Sequence, residues 1–216
     1  MHFVNRGPEP RDLKAIRVRC TPRWVEFYQN RRGLKPNDEH WLTFREPLQD
    51  AFFMLCGYCE EICKGEIDHF KPKSRHPHLV YEWSNWVFSC HDCNQMKGEK
   101  FPRGGYVDPC ASSASSQPEA FFEFDPLTGE ILPRAGLARG SFQRARRTID
   151  DLDLNAYHHL KKRLSWLHHV ERLLSREAPD DPGHRSFLQT VTARDAPLSS
   201  ISRAMLARRG LMVGPP

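Results

Sequence analysis

The spacing of apolar positions changes several times along the chain, and each change predicts a different element. Between residues 9 and 55 the pattern is helical in two blocks. Leu13, Ile16 and Val18 mark the first, and Trp24, Val25, Phe27 and Tyr28 mark the second. Pro36, Asn37 and Asp38 then break the chain and start another helix carrying Trp41, Leu42, Phe44 and Leu48. Gly65 to Phe70 reads as a short strand, and Lys71 to His78, with prolines at 72 and 77, as an irregular basic loop. Trp86-Val87-Phe88-Ser89 reads as a second strand, and the polar run from Asp92 to Lys100 as a helix ended by Gly98 or Pro102. Phe121 to Phe124 followed by Asp125 to Ile131 predicts a hairpin turning near Thr128-Gly129. Phe142, Ala145 and Ile149, then Tyr157, Leu160, Leu164, Leu167 and Leu174, predict two helices hinged near Asp153-Leu154-Asn155. Beyond Ala178 a Pro, Asp and Gly cluster marks a boundary, and only Leu198 to Arg209 shows a further helical pattern.

These elements make the chain α+β and mainly helical, and divide it into five stretches. Residues 1–55 form a helical N-terminal scaffold and 56–105 a small metal-braced core. Residues 106–120, rich in Ser and Ala, form a flexible loop. Residues 121–177 supply the hairpin and two helices, and 178–216 a C-terminal tail with a short helix.

Composition narrows the function classes. The chain has 216 residues, 39% apolar, with a mean hydropathy of −0.65. No run approaches the roughly 20 apolar residues that span a bilayer, and the N-terminus lacks the apolar core of a secretory signal, so a cytoplasmic protein without a membrane partner is expected. A net charge of +5 favours a polyanionic partner. Seven cysteines are too unevenly placed for a disulfide framework: four sit in two Cys-x-x-Cys knuckles, while Cys20, Cys63 and Cys110 are scattered.

The knuckles are Cys56-Gly57-Tyr58-Cys59 and Cys90-His91-Asp92-Cys93, about thirty residues apart. Four thiolates at this spacing suit a tetrahedral zinc closed on all sides, a structural site with no open position for chemistry. The chemistry must therefore come from the residues between and after them. Hydrolysis of a phosphodiester needs an activated water, a cation on the phosphoryl oxygens and stabilisation of the leaving alkoxide. His69 suits a general base near neutrality. Asp68 and Asn94 offer hard oxygen ligands for Mg2+ or Mn2+. Neighbours on a strand face opposite ways, so Asp68 and His69 share a site only if the strand ends there. Asn85 has two readings, a hydrogen-bonding support for the His69 imidazole or a turn-forming residue. Lys71, Lys73 and Lys97 are candidate phosphate contacts.

Cys-x-x-Cys, then Asp-His-Phe-x-Pro-Lys-Ser, then Asn-Trp-Val-Phe-Ser-Cys-x-x-Cys-Asn-x-x-Lys-Gly resembles the signature of HNH nucleases and their ββα-metal core. The H, N and N positions are His69, Asn85 and Asn94. The resemblance implies His69 as base, Asp68 and Asn94 as cation ligands, Cys56, Cys59, Cys90 and Cys93 as zinc ligands, Asn85 as support for the histidine, and DNA or RNA as substrate. Asn5-Arg6-Gly7-Pro8-Glu9-Pro10, Phe70 to Ser74, and Arg147-Thr148-Ile149 leading to Leu152-Asp153-Leu154-Asn155 extend it to PtuB-type proteins. These are HNH partners of a PtuA-type ABC ATPase in Septu and retron-linked phage defence, which implies an ATPase partner here.

Other metal proteins fit less well. A zinc ribbon or a rubredoxin-like site accounts for the cysteines and leaves Asp68, His69 and Asn94 without a role. A zinc deaminase requires His-x-Glu, whereas His69 is followed by Phe70-Lys71. The rival from another class is a non-catalytic, zinc-stabilised nucleic-acid-binding or scaffold subunit. Cys63 and His91 read as bystanders to the zinc, His158, His159, His168 and His169 as a polar helix face, and Trp83 and Trp86 as cover for the small core.

Overall fold

A computed structural model describes residues 1–37, 39–175 and 182–211. Helix α1 (Leu13–Tyr28) merges the two N-terminal blocks into one continuous helix that runs through Pro22. A proline there forgoes one backbone hydrogen bond. Leu13, Cys20 and Trp24 are buried on its inner face. A 3-10 turn at His40–Phe44 leads into α2 (Arg45–Ala51), with Trp41, Phe44 and Leu48 buried. Asp38, part of the expected break, lies outside the described residues.

Strands β1 (Glu66–His69) and β2 (Trp86–Ser89) pair antiparallel, with Asp68 opposite Val87 and His69 opposite Trp86. Helix α3 (His91–Lys97) follows directly and ends at Gly98, whose φ of 48° lies in the left-handed region that glycine enters freely. The long connection between the two strands is fixed by Asn85. Its side chain accepts from the backbone N–H of Lys71 and donates to the carbonyls of Lys71 and Leu79.

Strands β3 (Phe122–Phe124) and β4 (Ile131–Pro133) form the second hairpin, followed by α4 (Arg139–Asp151) and α5 (Tyr157–Leu174). Between α3 and β3 the expected loop carries two 3-10 turns and buries Tyr106, Val107 and Pro118. Asp153, at the hinge between α4 and α5, has a φ of 49°. Arg163 of α5 is buried there, and its guanidinium donates to the carbonyls of Gly129 and Leu154.

Two helices close the C-terminal part, α6 (Pro182–Thr192) and α7 (Ser199–Arg208). The first was not expected, because Phe187, Leu188 and Val191 make too short an apolar stripe to stand out in sequence. The Pro, Asp and Gly cluster after Ala178 lies largely outside the described residues.

The main core runs from Leu13 through the hairpin and α3 to Leu154, and Leu167, Val170, Ile201 and Leu206 anchor a second cluster among α5, α6 and α7. The C-terminal helices are tied to the first knuckle. Glu60, just after Cys59, accepts from the backbone N–H and hydroxyl of Ser200 at 3.0 and 2.5 Å, and pairs with the Met1 ammonium at 2.5 Å. Burial alone would raise the Glu60 carboxyl; the ammonium and His2 outweigh it and hold the group well below the usual carboxylate range. Among the described residues no helix is long and apolar enough to cross a membrane.

Candidate active site

The first knuckle turns back on itself through an isolated bridge between Leu55 and Ile62 and docks on the hairpin where Gly57 donates to the Phe88 carbonyl. A Cβ at Gly57 would stand 2.7 Å from the Phe52 ring and 2.8 Å from Val87, so only glycine permits that approach. The second knuckle opens α3. Cys90 is its N-cap, and its sulfur accepts from the Cys93 N–H. The antiparallel pairing sets the start of β1 beside the end of β2, Glu66 opposite Ser89, and so brings the four sulfurs together. Zn–S bonds of about 2.3 Å place tetrahedral sulfurs about 3.8 Å apart. Cys59 Sγ and Cys90 Sγ are 3.8 Å apart, and all four sulfurs lie within 4.8 Å of one another. The cluster fits a structural zinc. Cys63 stands outside it, and His91 bonds Glu66 instead.

Beside this brace a cavity of about 210 Å³ is lined by Asp68 and His69 from β1, Asn94 and Gln95 from α3, Pro72 and Lys73 from the connecting loop, and Glu99. Asp68 and His69 reach the same cavity although they are strand neighbours, because β1 stops at His69.

The His69 ring is buried between Trp41 and Trp86, whose rings meet it edge-on at 5.1 and 6.3 Å. Nε2 lies 2.9 Å from the Val80 carbonyl, which only accepts, so Nε2 carries the proton and the lone pair sits on Nδ1. Burial, then the ammonium of Lys73, pushes the imidazole down to about 3, against the upward pull of the carbonyl bond. The ring is thus neutral, with Nε2 tied and Nδ1 unprotonated.

Asp68 accepts from the Tyr58 hydroxyl at 2.6 Å and from the Lys97 ammonium at 2.7 Å, and Lys97 also donates to the His69 carbonyl at 2.8 Å. Lys97 therefore does not face a phosphate as its spacing suggested. Its side chain is 0% exposed, because the alternation of β1 turns Asp68 under α3 and a buried carboxylate requires a counter-charge. Lys71 is exposed, whereas Lys73 is half-buried, its ammonium 5.0 Å from the centre of the Trp41 ring.

Asn85 likewise does not touch the His69 imidazole. It braces the loop backbone after His69, at Lys71 and Leu79, and the carbonyl of Val80, next to the braced Leu79, takes the supporting role. Asn94 donates through Nδ2 to Glu66 Oε2 at 2.5 Å, which fixes the amide and leaves Oδ1 as its free acceptor.

Tyr58, Glu66 and Val80 were missed in the sequence. Only Glu66 carried a signal: two residues before Asp68 on a strand, it shares the face that meets α3. His159, read as part of a polar face, is 1% exposed and bonds Glu61, which also holds Lys162 at 2.5 Å and so ties α5 to the zinc knuckle.

Comparison with known proteins agrees with this geometry. Residues 56–100 match a sequence model of the HNH endonuclease family, the stretch that contains both knuckles, the hairpin and α3. The chain is also 24% identical over 166 residues to Septu protein PtuB of Bacillus thuringiensis, a match covering 64% of this chain and 62% of that relative. It thus spans less than two thirds of the relative's length. Knuckles, hairpin and helix belong to one known unit: residues 56–100 are an HNH endonuclease domain, in a chain distantly related to Septu protein PtuB.

Proposed function

We propose that the chain is a metal-dependent endonuclease that hydrolyses phosphodiester bonds of DNA or RNA, acting in the cytoplasm as the nuclease subunit of an anti-phage system with an ABC-type ATPase. The observation that carries the catalytic part is the meeting of Asp68, His69 and Asn94 on one cavity, with Nε2 of His69 tied to the Val80 carbonyl. His69 Nδ1 accepts a proton from water, while the Nε2 bond to Val80 holds the ring in place. Lys71 and Lys73 meet the phosphate.

The Asp68 carboxylate and Asn94 Oδ1 are the hard oxygens that would hold Mg2+ or Mn2+, a donor set of the kind such ions share with water and substrate phosphate. Once bound, the cation would neutralise charge on the phosphoryl and leaving oxygens. The zinc at the four cysteines takes no part in the cut.

Replacing His69 with Ala is expected to abolish Mg2+- or Mn2+-dependent cleavage of plasmid, single-stranded DNA and tRNA while zinc content and folding survive; full cleavage by that variant refutes the mechanism. One observation favours the second reading, a non-catalytic nucleic-acid-binding or scaffold subunit: Lys97 already neutralises Asp68. Binding without metal-dependent cleavage, both alone and with the ATPase, would establish that reading instead. The defence role is supported by the likeness to Septu protein PtuB. It is tested by co-purification with the products of neighbouring genes and by phage challenge of cells carrying the wild type or the His69 variant.

A further inference from the structure

Residues 99–105, the stretch that leaves the cavity after α3, form a shelf fixed by its own aromatic residue. The Phe101 ring packs edge-on against Phe70 at 5.7 Å, His76 at 5.7 Å and Tyr106 at 5.9 Å. Two arginines clamp the shelf backbone. Arg75, from the loop after β1, donates to the Phe101 carbonyl at 3.2 Å, and Arg147 of α4 donates to the Arg103 carbonyl at 2.9 Å. A third tie runs from the Lys100 ammonium to the Asp151 carbonyl at 3.4 Å.

Lys71, Arg75, Lys100, Arg103 and Arg147 are all exposed, and none has a carboxylate partner among the described ion pairs. The nearby α4 pair, Arg146 with Asp150, is by contrast neutralised. Lys71 and Arg75 precede His76 in the chain, and the His76 ring packs on Phe101 of the shelf. Each clamping guanidinium places one of its five N–H donors on the shelf, and both side chains are exposed. Exposed cations without carboxylate partners, gathered on one shelf beside the cavity, suit the charge of a phosphodiester backbone.

We infer that Arg75, Lys100, Arg103 and Arg147 form a track for the nucleic-acid backbone flanking the scissile phosphate, bound through phosphates and without base recognition. The inference rests on the endonuclease reading for its substrate, but it is tested by binding rather than by cutting.

The full chain, zinc-loaded and carrying His69→Ala, is titrated by fluorescence anisotropy against labelled duplex DNA, single-stranded DNA and RNA between 50 and 200 mM salt. Each phosphate contact contributes a slope of about −0.9 in log affinity against log salt on duplex and about −0.7 on single strands. Removing four contacts by Arg75→Ala, Lys100→Ala, Arg103→Ala and Arg147→Ala should therefore flatten the duplex slope by about 3.6. Over that salt range the wild type should then lose affinity about 150-fold more than the variant. Because Arg75 and Arg147 also clamp the shelf, the pair Lys100→Ala and Arg103→Ala is measured alongside, with an expected flattening of about 1.8.

A wild-type slope in both variants overturns the track, as does loss of ATPase binding with the nucleic-acid slope intact. A flattened slope in these variants, together with no metal-dependent cleavage by the chain that keeps His69, alone or with the ATPase, rejects the endonuclease reading and upholds the track.

Discussion

Lys97→Met isolates the buried ion pair beneath the candidate site. Methionine has nearly the length and volume of lysine, so the substitution removes the charge without opening a large cavity. Asp68 is 4% exposed and would be left with one neutral donor, Tyr58, while the His69 carbonyl would lose its bond to Lys97. Breaking a buried pair by removing one partner costs about 3–5 kcal/mol, because the remaining charge stays buried without compensation. For a chain of this size, about 2–4 °C per kcal/mol converts this to a fall in Tm of about 6–20 °C. The assay is urea denaturation of the zinc-loaded protein, with an unchanged m value showing that stability rather than the extent of unfolding has moved. Asp68→Asn provides the second arm. A neutral amide needs no counter-charge, so the double variant should be less unstable than the sum of the two single variants. A loss below about 1 kcal/mol for Lys97→Met, or strict additivity with Asp68→Asn, would refute the view that the two charges compensate one another in the interior.

Removal of zinc by a chelator, or Cys90→Ser, should unfold the core, since structural zinc contributes folding energy directly; loss of near-UV dichroism in step with zinc release is the readout. The Glu60 carboxyl is held below its unfolded value, so its contribution is complete above about pH 5 and is lost progressively as the pH falls below that. Glu60→Gln should therefore be less stable than wild type at neutral pH and converge with it in acid, and parallel stability curves would contradict the Glu60 contact. Gly57→Ala forces a Cβ against Phe52 and Val87 and should cost about 1–3 kcal/mol, checked by thermal melting. Arg163→Ala leaves the carbonyls of Gly129 and Leu154 without their donor and should cost about 3 kcal/mol, with exchange of the amide hydrogens near Asp153 accelerating first.

Local signals made the hairpin and helix of the HNH domain legible. Trp86 to Ser89 and the helix stop at Gly98 stand where the pattern put them, because an apolar run flanked by turn residues and a glycine C-cap act within a few residues. The second hairpin and the hinge at Asp153 were readable for the same reason. Helix α6 was not, since its stripe is short and gains stability by packing against α7.

The sequence by itself determined the chemistry available: four thiolates at zinc spacing, an Asp-His pair, and an Asn directly after the second knuckle. Tertiary structure decided which of those groups remain available. It buried Lys97 against Asp68, transferred the support of His69 from Asn85 to the Val80 carbonyl, and used Glu66 to fix the Asn94 amide. It also set His159 and Ser200 on the glutamates beside the first knuckle, 98 and 140 residues away in sequence. Residue type and short spacing fix what a group can donate or accept. Its partner, protonation and exposure depend on side chains brought from distant positions, because burial requires each polar group to find a counterpart wherever the fold supplies one.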